Sequence, residues 1–188
     1  MVRDRTRFIS QRGTLKHVYW HALMKYALWT TLCCLILLAG CGGRLTKMTA
    51  AKRAERMATE RGRLSELTDP VQRTKSYILI SEVLLSFASD AVKDGTVEEL
   101  GVLMDQYVTA IRSARDTMTA SKRDPEKRPQ GYRDLELALR AQTRSLRDLG
   151  GQLLVDQREP VDRAEAAASS IREELLQLLF PQQKPRVL

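Results

Sequence analysis

From residue 69 onward, apolar side chains return every three or four positions, and the polar residues between them keep to the other side. In Val71, Thr74, Ile78, Ser81, Leu85, Ala88 and Val92 the spacing predicts one stripe of a helix, widened by Tyr77, Ile80, Val83, Leu84, Phe87 and Ala91. Asp69-Pro70 supplies an N-cap and a first-turn proline, and Gly95 a stop, so this helix spans about 69–93. A second stripe, Leu100, Leu103, Met104, Tyr107, Ile111, Ala114 and Met118, follows after two or three residues, with Thr96 and Glu99 in capping-box register. A third runs from Tyr132 to about Val155 through Leu135, Ala138, Leu139, Gln142, Leu146, Leu149 and Leu153. The last opens at Glu159-Pro160-Val161 and carries Ala164, Ala167, Ala168, Ile171, Leu175, Leu178 and Leu179 inward before Phe180-Pro181. Gly150-Gly151 interrupts the third helix and predicts a kink or a close approach there.

No stretch after residue 41 alternates with period two, so the fold class is all-α. Short links predict an antiparallel four-helix bundle over residues 69–180, followed by a tail at 181–188. Ahead of it, about Thr46 to Leu67 is rich in helix formers but has only a thin apolar stripe. Its surplus of Lys and Arg reads either as a basic stalk held near anionic head groups or as a helix whose charges line a solvated face. The Asp/Glu-Pro-Val-x-Arg echo at 69–73 and 159–163 reflects shared capping chemistry rather than a duplicated hairpin, because it does not persist.

The pattern before residue 44 is different. Tyr26 to Gly43 is an uncharged, strongly apolar run of 18 residues after Lys25, closing on Leu38-Ala39-Gly40-Cys41. A branched aliphatic, two small residues and a cysteine behind a charged and then apolar segment resemble the signal peptide and lipobox of bacterial lipoproteins. That resemblance implies cleavage between Gly40 and Cys41, removal of residues 1–40, and acylation (palmitate among the chains) of Cys41. Residues 41–68 then form a lipid-anchored linker or stalk. Gly42 carries no Asp-type retention signal, so in a two-membrane bacterium the resemblance implies the outer membrane, facing the periplasm. The competing reading is an uncleaved single-pass helix at 26–43 in the inner membrane, which is short against the roughly 20 apolar residues a span needs. Residues 1–23, with Arg3, Arg5, Arg7, Arg12 and Lys16, make an unusually long basic leader, and Met24-Lys25 would itself make an ordinary start.

Charge and composition change the picture once the leader is set aside. Six of the 31 basic residues and one of the 23 acidic residues precede Gly42, which leaves a net charge of only about +3 on the rest and no case for nucleic acid. Both His and both Trp precede Cys41, and no Cys follows it. His-based acid/base catalysis, Ser-His-Asp and Cys-His nucleophiles, ordinary zinc sites and internal disulfides are therefore excluded from residues 42–188. The expectation is a non-enzyme with no cofactor and no metal. Glu98-Glu99 and Glu173-Glu174 read as solvated charge, while Glu82 and Asp90, on an apolar helix, predict a partner such as Arg112 or Arg140.

One patch stands out. Residues 121–131 form a proline-broken loop in which Lys122, Arg123, Lys127 and Arg128, with Arg133 just beyond, make the densest positive cluster after Cys41. It suits a phosphate, an acidic partner or a membrane surface, or is simply a soluble loop. Two functions follow: an envelope lipoprotein whose bundle docks a protein partner, or a carrier or sensor that opens around a small apolar ligand or lipid. The second predicts an internal cavity beside Gly101 or Gly150-Gly151.

Overall fold

In a computed structural model of the chain, residues 48–181 are described and belong to one compact unit. Cys41, Gly40 and the whole 26–43 segment lie outside the described residues. The described part is all-helical, with five α-helices and no strand: α1 (Ala50–Leu64), α2 (Pro70–Asp94), α3 (Leu100–Ala120), α4 (Tyr132–Gly150) and α5 (Glu159–Leu179). None of them is long and apolar enough to cross a membrane.

The ends of α2 follow directly from its sequence. Asp69 accepts from the Gln72 N–H at 3.1 Å, and Pro70 fills the first turn, where no intrahelical N–H is needed. Gly95 takes the left-handed φ of 75°, and the N–H groups of Gly95 and Thr96 close back on Val92 and Ala91. The expected capping box at Thr96 and Glu99 does not form. The Thr96 hydroxyl donates to the Ala91 carbonyl instead, and Val97–Glu99 make a 3-10 turn leading into α3. α4 ends at Gly150-Gly151 rather than continuing to Val155: the Arg158 guanidinium donates twice to the Gly150 carbonyl, at 2.9 and 2.7 Å, beside the Leu153 N–H at 3.3 Å, on an oxygen that has no partner in the helix ladder. Nor is the capping chemistry shared between the two Pro-Val starts, since no side chain caps α5.

The interior is built from the expected stripes. Leu84, Leu100, Met104, Tyr107, Ile111, Met118, Leu135, Leu139, Leu146 and Leu175 are fully buried. α2 packs on α1, α3 and α4, while α5 packs on α3 and α4. One predicted inward residue, Leu178, is exposed, as is Phe180 at the helix end.

α1 departs furthest from expectation. Two of its charges are not on a solvated face: Arg53 and Glu60 are buried. The Arg53 guanidinium donates to Ser86 and pairs with Asp90, and it lies 5.2 Å from the Phe87 ring centroid. Glu60 accepts from the Ser76 hydroxyl at 2.7 Å. Beyond the helix, Arg73 donates to the carbonyls of Leu64 and Leu67 and so ties the link to α2.

Candidate functional site

The basic loop is held by a few specific contacts. Gly131 adopts φ of 87°, and a Cβ there would sit 2.6 Å from the Met118 sulfur, so glycine is the residue that fits. Tyr132, buried beside it, donates its hydroxyl to the carbonyl of Met118 at 2.9 Å and also reaches that of Arg123 at 3.3 Å. Lys122 is the one described non-glycine residue at positive φ, 53°, and turns the chain out of α3. Asp124 accepts from the backbone N–H groups of Glu126 and Lys127. These bonds, the Lys127 one foremost, hold its carboxyl below the usual carboxylate range.

The five basic residues of the patch separate into two groups. Arg123 pairs with Asp69 at 3.3 Å, so one Asp69 oxygen caps α2 while the other holds the loop. Lys127 pairs with Asp124 at 3.5 Å. Lys122, Arg128 and Arg133 are exposed and have no ion-pair partner among the described residues. The free positive charge of the loop is therefore three residues, not five.

Two grooves run beside α2. One, about 370 Å³, lies between α2 and α4 and is lined by Glu82, Leu85, Ser89, Gln142, Asp148 and Gln152. Burial raises the Glu82 carboxyl above its ordinary range, with Arg56 acting in the opposite direction. The other, about 380 Å³, is bordered by Leu64 of α1, Tyr77 and Ile80 of α2, and Val102 and Gln106 of α3. Both are open to solvent. Leu149 and Gln152, on either side of Gly150-Gly151, line the first, and a Cβ at Gly150 would lie in ordinary contact with Arg158 and Val161, at 3.6 and 3.7 Å.

The acids form no joint centre. Glu98, Glu99 and Glu173 are exposed, and Glu174 pairs with Arg115 at 3.2 Å. Asp90 takes Arg53 rather than Arg112 or Arg140, and Glu82 has Arg56 as its charged neighbour, because α1 rather than α3 or α4 brings the cations to this side of α2. Arg140 instead joins Arg172 on the buried Glu136, at 2.9 and 3.0 Å. Sequence reasoning missed that cluster, although the i,i+4 spacing of Glu136 and Arg140 was a usable sign. Among the described residues no three His, Cys, Asp or Glu side chains are placed to share a metal ion. Comparison of the chain with protein-family models, characterised proteins and solved structures finds no match.

Proposed function

We propose that this chain is a non-enzymatic envelope lipoprotein, cut before Cys41, acylated there, and carrying a helical domain that docks a protein partner. The observation that supports it most is the Leu38-Ala39-Gly40-Cys41 sequence behind an uncharged apolar run, followed by an all-helical domain whose first helix begins at Ala50. The exposed cations Lys122, Arg128 and Arg133 are the natural contact for an acidic partner. In a two-membrane bacterium the anchor belongs in the outer membrane, facing the periplasm.

We infer too that α2–α5 form a four-helix bundle of two antiparallel hairpins. Thr74 reaches the Ala114 carbonyl, and Arg147 and Arg172 meet Glu165 and Glu136, which supports opposite senses within α2/α3 and α4/α5. Lys75 with Asp134 and Ser81 with Gln142, and likewise Asp105 with Arg163 and Arg115 with Glu174, support a common sense across the hairpins. In that arrangement the 95–99 turn, the 151–158 loop and the start of α1 share one end. The 121–131 loop occupies the other, about 37 Å away along α2.

The test is intact-mass analysis of the protein from bacterial membranes beside Cys41→Ser. A species beginning at acylated Cys41, lost in the variant, is expected. A full-length species unchanged by the substitution overturns the lipoprotein reading.

A further inference from the structure

Leu154 and Val155, in the loop between α4 and α5, are 66% and 88% exposed, the two most exposed large apolar residues described. Their loop is fixed rather than loose: Arg158 grips the Gly150 carbonyl, Leu153 is buried, and a 3-10 turn covers Val155–Gln157. Gln152 of that loop and Ser86 and Ser89 of α2 line the same groove, while Ser86 and Asp90 hold Arg53 in the first turn of α1. The two apolar side chains therefore lie at the end of the domain where the chain enters. Cys41 precedes Met48 by seven residues, a reach of at most about 25 Å.

We propose that Leu154 and Val155 dip into the bilayer that holds Cys41, so that the domain stands on this end; the proposal rests on the lipoprotein reading. Alone, two aliphatic side chains would bind a bilayer weakly. A short tether keeps them at an effective concentration on the order of millimolar, where weak contact suffices. The neighbouring charges balance. Asp156, Glu159 and Asp162 on the loop side, and Asp94, Glu98 and Glu99 on the adjoining turn, are matched by Lys93, Arg158 and Arg163 and by Arg44, Lys47 and Lys52 along the entering chain. The contact is thus carried by the two apolar side chains and the tether rather than by charge. The free cations Lys122, Arg128 and Arg133 face away from that surface and stay available to a partner.

No Trp follows Cys41, so one introduced tryptophan reports alone in the processed chain. Val155→Trp is expressed as the full chain, purified from membranes and placed in phosphatidylethanolamine–phosphatidylcholine vesicles whose acyl chains are brominated. The parent protein's emission is subtracted. The indole emission of Val155→Trp is expected to shift to the blue and lose most of its intensity. Leu137→Trp, exposed about 20 Å along α4 from Gly150, is expected to stay unquenched. Unquenched emission from Val155→Trp overturns the inference, including the case of a blue shift without quenching, which would mean that protein covers the loop. Quenching in Leu137→Trp but not in Val155→Trp overturns it too. The mass of the same sample reports separately on Cys41: a non-acylated protein sinks the anchor reading, while the quenching result still decides the loop.

Discussion

The Tyr107 hydroxyl donates to the side-chain oxygen of Gln142 at 3.1 Å in the middle of the core, and the Gln142 amide donates onward to Ser81 at 2.8 Å. All three residues are buried and lie on three different helices, so this short chain of polar groups ties α2, α3 and α4 at one level. Gln142→Leu leaves the phenol without an acceptor, while the Ser81 hydroxyl keeps its bond to the Ile78 carbonyl. The substitution is expected to cost about 1–3 kcal/mol, read as a lowered urea midpoint.

Burial also raises the Tyr107 phenol above its ordinary value near 10. The folded state therefore keeps its proton when the unfolded chain has lost it. The stabilisation is complete below about pH 10 and is lost as pH rises above that. Urea titrations between pH 8 and 11 should show stability falling in the wild type, with a flatter profile for Tyr107→Phe.

Glu82 gives the same sign in a more accessible range. Its carboxyl is raised by burial, so at neutral pH its charge works against folding, and protonation on acidification relieves this. Glu82→Gln is expected to melt higher than the wild type at pH 7.5, with the difference narrowing toward pH 4. A variant that melts lower at both values would contradict this account.

Gly131 and Gly95 both sit at positive φ, yet only Gly131 is crowded. Gly95→Ala should cost about 1 kcal/mol from backbone strain alone. Gly131→Ala must in addition displace the buried Met118 side chain, and should cost about 2–4 kcal/mol by thermal melting.

Arg53 is the main fastening of α1. Arg53→Ala should cost about 1–3 kcal/mol, since it removes bonds to Ser86 and Asp90 and the contact with Phe87. Amide exchange should quicken across residues 50–64 before it changes in α3 or α4. Arg53→Lys should restore only part of the protection, because an ammonium cannot make the planar fork.

The helices and most of their inward faces were legible because they rest on local rules. Asp69-Pro70 and Gly95 mark ends wherever they occur, and the stripe from Leu100 to Met118 needs only a period. What was hidden depends on partners far along the chain. Arg53 is buried because Asp90 and Phe87, 37 and 34 residues on, face it, and Glu136 because Arg172 arrives from α5. Thr96 and Glu99 fit a capping box by spacing, but the Ala91 carbonyl at the end of α2 was a nearer acceptor for the threonine. The basic loop was found as composition; that two of its five charges are paired internally was not readable without Asp69 and Asp124 in place.

The packing of α1 has a mechanical side. In a chain held at its N-terminal side, load enters at the first turn of α1, and the contacts there are polar and few. Pulling would open Arg53 from Asp90 first, then the packing of Met57 and the bonds of Glu60 to Ser76 and Arg61 to Gln106, and last the Arg73 clasp on Leu64 and Leu67. Unravelling residues 50–69 in this order would add about 45 Å of reach while the core helices stay closed. In such a chain the first helix would be a reserve of reach, released one clasp at a time.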